Sequence, residues 1–487
     1  KKIGILSARE RSVWLMDQRI NQRGIKVDLE LAAIARGVVE KTEHKLSAEL
    51  LSLTGIDSHS KVKQLVEWLS RNGVTVPSVI RRGGKSTPTL DADTVEKLLE
   101  TTEPNTTPHR VLKLRQELAK GSTKKLDAFI RATGSDGRVR YMFQYHGANT
   151  GRWAGRLINL TNLPRPPAHM EGYDPDTLAA NIRTGDPDYL GFVYGDPLVA
   201  VSAGLRALLI ADKGKKLVAG DYKSVESIGI AGLAGEKSKL EVFRQGKDPY
   251  CEFASFALGK LITKKDNPFE RQTVGKPGEL AFGFGGGYGA WLKFDDSGRF
   301  EKEEINGFKD AWRSQHPAIE ALWAGLETAA ITAMLDGRGE YRGIVYSRRG
   351  DFLVCTLPSG RNLSYFQPRL EERELPWSTP EKPAFGLQLT YMSWKGGQWV
   401  RVSTYGGKLA ENCTQAACRD VLVHGMFNAE EAGLPIVLHV YDEIVVEVDE
   451  ANVYAMGALQ EAMEQKQPWY SDWPIMCDPW EGKRYRK

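Results

Sequence analysis

At 487 residues the chain exceeds what one compact core holds and divides into about three or four structural units, which excludes a single small module. Its 41% hydrophobic and 26% charged residues are those of a soluble globular protein, and no apolar run approaches the roughly 20 residues that cross a bilayer, so no membrane role follows. The net charge of +4 is too small by itself to imply a nucleic-acid partner, and five cysteines without CxxC spacing argue against zinc or a disulfide framework and for a reducing cytoplasm.

The opening KKIGILSARE has neither an initiator Met nor an apolar signal segment, as in a domain cut from a longer polypeptide. Residues 13–54 read as helix, with apolar positions recurring at three and four. A second helix, KVKQLVEWLSRNGV, has Ser58 or Ser60 as its cap and Gly73 as its stop. After the Gly/Pro/Ser-rich RRGGKSTPTLDAD come two more, TVEKLLE and PHRVLKLRQELAKGSTKKLDAFIRAT. From Gly134, SDGRVRYMFQYHGANTGRW reads as a strand pair and turn, and a Pro/Asp/Gly-rich insertion at residues 166–197 separates it from the strand KKLVAGDY. Helices dominate residues 225–335, and strands return at GIVYSRRGDFLVCTLP and LPIVLHVYDEIVVEVDE. The order helical arm, sheet, helical arm, sheet predicts a central sheet assembled from distant segments, with two helical lobes inserted.

Charge is segregated along this chain. Between His109 and Arg165 twelve Lys/Arg stand against three Asp/Glu, a balance of +9 that leaves −5 for the rest. Such segregation is the footprint of a polyanion lying on one part of a protein, although a solvated basic helix face gives the same count.

Asp221 ends the apolar strand Leu217-Val218-Ala219-Gly220, and Asp442 with Glu443 occupies the tip of a hairpin between two apolar strands. Acidic residues at turns are commonplace; the apolar flanks single these out, because they bury the sheet that carries them. If the two strands are neighbours, Asp221 and Asp442 converge, and two hard carboxylates suit Mg²⁺, which keeps waters and takes phosphate oxygens as its other ligands. Two such ions about 4 Å apart form the clamp used for in-line phosphoryl displacement. Between these segments lies ERQTVGKPGELAFGFGGGYGAW, where Lys276 opens a helix that runs into glycines. A cation beside small residues can hold a triphosphate while a base pair approaches closely. The glycines follow the lysine, so this is not a Walker loop.

KKLVAGDYKSVE resembles motif A of the family A DNA polymerases, RQTVGK…FGFGGG resembles motif B, and HVYDEIVVEV resembles motif C. TGRWAGRLINLTNLPRP resembles the family's primer-template segment, and YHGANTGRW, TYGGKLAENCTQAACRD and RYRK are similar to its phage-type members. The resemblance implies an α+β right-hand fold with an antiparallel palm sheet and helical thumb and fingers. It implies a palm entry segment at 1–30, thumb at 31–131, palm at 132–227 and 346–487, and fingers at 228–345. Asp221 and Asp442 match the metal-binding aspartates, with the Tyr222 carbonyl as a further ligand and Glu443 as the adjacent acid. Lys276 matches the lysine on the triphosphate, and Glu226 the glutamate that blocks the sugar 2′ position. Arg152 matches the arginine reaching the primer terminus, Asn159 and Asn162 match template contacts, and Gln415 matches the glutamine near the terminal pair. Lys120, Lys124 and Lys125 are the basic residues expected on duplex phosphates.

Some positions depart from the family's best-known form. Tyr441 and Tyr250 stand where histidines are usual, Leu280 where an aromatic ring packs on the sugar, and Phe284 where a tyrosine stacks near the template base. Arg271 stands five residues before Lys276, one more than usual, which on a regular helix turns it about 140° away; the two share a face only where the helix begins between them or bulges. The implied protein is a monomer in the cytoplasm of a bacterium or phage-infected host, using primer-template DNA, dNTPs and two Mg²⁺ ions, with Mn²⁺ as a substitute. Any exonuclease is expected before Lys1. The competing readings are an RNA polymerase or reverse transcriptase on the same palm, which Glu226 opposes, and an inactive DNA-binding replication protein, which Asp221, Asp442 and Lys276 oppose.

Overall fold

The computed structural model describes residues 6–80, 86–120, 122–164, 166–170, 172–374, 378, 383 and 385–486. The predicted strand KKLVAGDY runs over Lys215–Tyr222 and lies inside a four-stranded antiparallel sheet in the order Ile436–Val440, Glu443–Asp449, Lys215–Tyr222, Cys477–Gly482. Its strands come from segments far apart in the chain, as expected. Leu217, Val218, Ala219, Val445 and Val446 are fully buried, so adjacent residues of one strand, which point to opposite faces, are both in core. The long helix Gly406–Glu431 and the helix Ala455–Glu464 pack beside this sheet.

Two helical masses flank it. The first begins with Leu29–Thr54, capped by Asp28, whose carboxylate accepts from Leu31 N–H at 3.0 Å and also holds Arg183 and Arg484. Its far part, residues 50–118, closes on a core of its own around Leu65, Leu69, Val95 and Leu112. The second mass, from Val225–Ala234 to Pro317–Asp336, shares the main core. Pro317–Asp336 is long and apolar enough by composition to cross a bilayer. Here it packs on Gly406–Glu431 and Arg338–Tyr341, with Ile319, Leu322, Leu326 and Ala330 buried, as a core helix does.

The structure departs from the sequence reading at several places, the first within residues 13–54, where strand Ile25–Val27 separates helices Ala8–Arg23 and Leu29–Thr54. The insertion at residues 166–197 folds into helices Pro175–Ile182, Pro187–Tyr194 and, at its end, Pro197–Gly204. Each starts with an Asp-Pro pair, in which Asp174, Asp186 or Asp196 accepts backbone N–H groups as the cap and proline takes the first turn. Six strands form a meander in the order Gln398–Ser403, Phe385–Lys395, Asn362–Glu374, Phe352–Thr356, Ile344–Arg349, Arg338–Tyr341, of which only Ile344–Arg349 and Phe352–Thr356 were predicted. The strand pair expected from Gly134 is reduced to two-residue strands, Arg138–Val139, Phe143–Gln144 and Ala154–Gly155. The helix expected to be capped by Ser58 or Ser60 starts at Val62, after Lys61, and has no side-chain cap.

His439, in the edge strand, is buried against Phe143 and Trp153, with ring centroids 4.2 and 4.7 Å away, and its Nε2 has no hydrogen-bond partner. Burial lowers its pKa to about 3. An unfolded histidine takes its proton near 6.5, so below that pH the unfolded chain holds a proton that the folded one refuses, and stability falls as pH falls toward 3. His439→Phe keeps the ring stack and removes the proton. Urea unfolding at about pH 6 and pH 5 is expected to show wild type losing about 1.2 kcal/mol more than the variant over that unit.

Candidate active site

The carboxylates meet because of strand register. Asp221 lies directly opposite Glu443 on one side and Asp478 on the other, and Tyr222 N–H donates to the Asp442 carbonyl at 3.3 Å. The strand end that carries Asp221 and the hairpin tip that carries Asp442 are therefore neighbours at the backbone. Glu443 is fully buried and accepts from the Tyr485 hydroxyl at 2.6 Å; burial and that carboxylate push the Tyr485 pKa far up. Asp221 lines, with Glu443 and Asp478, a cavity of about 740 Å³, whereas Asp442 lines a neighbouring one of about 400 Å³.

The smaller cavity gathers six of the predicted residues: Arg152, Glu226, Tyr250, Leu280, Tyr441 and Asp442. Glu226 sits in the first turn of Val225–Ala234, and its Oε1 accepts from Arg152 Nη2 at 2.5 Å. Tyr441 is exposed at the hairpin tip with a left-handed φ of 55°. Burial, and next the Glu279 carboxylate, raise the pKa of Tyr250.

The extra residue between Arg271 and Lys276 is absorbed by a bulge. Arg271–Gly275 is a π-helical turn in which Lys276 N–H donates to the Arg271 carbonyl, after which Lys276–Phe282 continues as α-helix. A turn closed between residues five apart returns them to one side, which cancels the rotation expected of a regular helix. Arg271 donates to Asp248 at 2.7 Å and lies over the Tyr250 ring, 4.9 Å from its centroid. Lys276 is exposed, and Phe284, past the helix end, is half-buried. The glycines around the lysine are dictated by close approach: a Cβ at Gly275 would lie 2.1 Å from the Tyr250 carbonyl oxygen, and one at Gly278 would lie 2.0 Å from the Phe253 ring. The helix is also pinned by Glu279, which pairs with buried Lys239 and accepts from Trp312 Nε1 at 2.9 Å. Sequence reading missed Glu279, although it lines the cavity.

The loop that carries Arg152 rests on buried charge. Arg419 Nε donates to the Gly151 carbonyl at 3.2 Å and its Nη atoms pair with Glu10; Asp420 next to it holds Arg361 at 2.6 Å. None of these four was singled out, because charged residues carry no signal until their burial is known. Asn162 accepts through its carbonyl from Lys125 at 3.2 Å, and Asn159 abuts Gly155. Gln415 donates to Glu411 at 3.2 Å, and Lys120 is tied to Asp196 at 2.5 Å, while Lys124 is exposed. Among the described residues no three His, Cys, Asp or Glu side chains form a ready-made metal cage. Two aspartates and the Tyr222 carbonyl at one sheet end offer only hard oxygen donors, a set that fits a Mg²⁺ completing its shell with water and phosphate.

Residues 32–332 match the profile of DNA polymerase family A. The chain is 33% identical over 486 residues to the DNA polymerase of Bacillus phage SP02, covering 98% of this chain and 71% of that protein. It is 25% identical over 269 residues to the thermostable DNA polymerase I of Thermus aquaticus, covering 53% of this chain and 28% of that one. In fold it is similar to the POL domain of Pol1 from M. smegmatis, solved in complex with DNA primer-template and dNTP, at a TM-score of 0.66 and 19% identity, covering 98% of this chain and 70% of that one.

Gly275→Ala tests the close approach of the lysine helix. Pushing that helix off the Tyr250 backbone is expected to cost about 1–3 kcal/mol, read as a fall in unfolding midpoint, as over-packing elsewhere does. Gln272→Ala, on the exposed side of the same turn, should leave the midpoint close to wild type.

Proposed function

The chain belongs to DNA polymerase family A and carries out template-directed DNA synthesis, and on that premise we propose that a primer 3′-hydroxyl attacks the α-phosphate of a dNTP in the cavity framed by Arg152, Glu226, Tyr250, Leu280, Tyr441 and Asp442. The observation that carries this reading is the convergence of those six residues, from separate parts of the sequence, on one open space beside the Asp221 strand. Polymerases of this family are metal-dependent; Asp221, Asp442 and the Tyr222 carbonyl would hold two Mg²⁺, which would supply a lowered hydroxyl pKa and neutralisation of phosphate charge.

The chain's own residues do the rest. Lys276 and Arg271, brought to one side by the π turn, hold the triphosphate and offset charge on departing pyrophosphate. Leu280 and Tyr441 wall the sugar and base, and Phe284 stands beyond them toward the template. Arg152 serves two roles, reaching the primer terminus and holding the Glu226 carboxylate under the sugar. Glu443 supports the hairpin through Tyr485. Asn159, Asn162 and Gln415 contact template and terminal pair, with Lys124 and Lys125 on duplex phosphates; Lys120 joins them only by leaving Asp196. Residues 31–131 act as thumb, 228–345 as fingers, and the sheet with its flanking segments as palm, in a monomer working in the cytoplasm of a bacterium or phage-infected host.

Asp221→Ala and Asp442→Ala should each drop primer extension with Mg²⁺ below about 1% of wild type while gel-shift affinity for primer-template stays within a few-fold, because duplex affinity comes mainly from phosphate contacts. Near-normal extension in either variant would remove the two-metal assignment.

Glu226→Ala tests sugar choice. A ribose 2′-hydroxyl must displace the carboxylate from Arg152, which costs about 1–3 kcal/mol, a factor of roughly 5–150. Removal of the carboxylate should raise single-nucleotide rNTP incorporation relative to dNTP by a factor in that range. An unchanged ratio would take Glu226 out of the sugar pocket.

A further inference from the structure

The six-stranded meander turns one face to the core. Tyr346, Leu353, Cys355, Tyr365 and Leu389 on that face are buried, with Tyr346 and Cys355 near Cys413 of the long helix. The other face is open and has an unusual composition. Its central row, fixed by register, reads Arg349, Phe352, Phe366, Met392, Arg401 across five strands. One step further along the last two strands, Trp394 lies opposite Trp399. The four rings touch in sequence, with centroids 5.2 Å apart for Phe352 and Phe366, 5.5 Å for Phe366 and Trp399, and 5.6 Å for Trp399 and Trp394. Trp394 and Trp399 remain 59% and 54% exposed, which hydrophobic packing alone leaves unexplained.

Arginines stand around the rings. Exposed Arg349 stands at one end of the row and exposed Arg369 lies one step past the bulge opposite Thr390, while Arg401 at the other end is half-buried and paired with Glu371 at 3.8 Å. Rings with open faces between arginines are what unstacked bases and their phosphates require, since every base offers a π-face and every linkage a negative charge.

The surface also leads to the proposed site. Two residues past the end of strand Gln398–Ser403 stands Tyr405, half exposed, whose ring lies against Gly285, while the neighbouring Gly407 abuts the Phe284 carbonyl. From Trp399 to Tyr405 the chain covers about 20 Å at roughly 3.3 Å per residue, with Trp399, Arg401, Ser403 and Tyr405 at alternate positions. The geometry points to a single-stranded nucleic-acid platform on this face, occupied by the template strand before it reaches Phe284. The inference rests on the polymerase reading above and adds a binding surface outside the reaction site.

Fluorescence anisotropy with recessed primer-templates tests it. One substrate carries a one-nucleotide template overhang, the second an overhang of about 12 nucleotides, within the site sizes of such platforms, and a third places the same single strand as a flap on the downstream non-template strand. Trp394→Ala and Trp399→Ala should each weaken binding of the long template overhang by about 5-fold or more. Binding and single-nucleotide extension of the one-nucleotide substrate should be unchanged, and Trp399→Tyr should retain most of the long-overhang affinity. Arg349→Ser, which removes no ring, should lower the salt slope for the long overhang by about 0.7, the value for one contact on a single strand, and so reads the platform even if a tryptophan variant fails to fold. Equal losses on short and long overhangs, or none on either, would make the rings a purely structural cross-strand ladder. An effect confined to the flap substrate would overturn the assignment to the template. Failure of extension on the one-nucleotide substrate by wild type would instead count against the polymerase reading itself.

Discussion

The hydrogen-bonded register of Lys215–Tyr222 between its two neighbours is the constraint on which the rest of the molecule depends. Asp221 faces Glu443 and Asp478 only because Gly220 pairs with Ile444 and Pro479, and so on along each ladder. Because side chains alternate with a period of two, a slip of one residue would send Asp221 to the opposite face and bring its neighbour in its place. Burial on both faces resists that slip less by pattern than by fit, since near-continuous apolar strands have no polar side to defend. The pairing is fixed instead at its ends, by the Tyr222 N–H on the Asp442 carbonyl and by Tyr485 on Glu443.

The lysine helix is held by a different kind of contact. Two glycines let it lie directly on the helix Pro249–Leu258, and a buried Lys239–Glu279 pair with Trp312 ties it to two further helices. Breaking a buried pair by removing one partner costs about 3–5 kcal/mol. Any swing of Lys276 toward a nucleotide therefore carries Lys237–Arg244 and Lys302–Gln315 with it, and the flexible joint must lie outside this cluster. The π turn is part of the same design, because it lets an extra residue enter the helix without turning Arg271 away from the lysine.

The motif strands and their carboxylates were legible because they combine a strong local pattern with chemistry: an apolar strand ending in Asp221, a hairpin tip at Asp442, a lysine followed by glycines. The three insertion helices were legible in principle, since Asp174, Asp186 and Asp196 each precede a proline, but the Pro/Asp/Gly content of that stretch outweighed the capping signal. The outer strands of the meander were not, because their exposed face carries Trp394, Trp399 and Arg401 where alternation with polar residues is expected. Nor could the sequence reveal the Arg419, Asp420 and Arg361 support under Arg152, since buried charge becomes visible only when the partners 50 to 400 residues away are brought to it.

The central sheet has a consequence for how the protein is made. Strand Lys215–Tyr222 leaves the ribosome about 220 residues before Glu443–Asp449, its first partner, a delay of roughly 10–45 s at common synthesis rates of about 5–20 residues per second. Through that interval a strand with the apolar centre Leu217-Val218-Ala219-Gly220 has both edges bare, the state most prone to pair with another nascent chain. The helix that packs on its face, Ala455–Glu464, is made later still, after Glu443–Asp449. Yield in a cell is therefore governed by what shields this one segment during translation, through holdase chaperones or wide ribosome spacing on the message, more than by the stability of the finished enzyme.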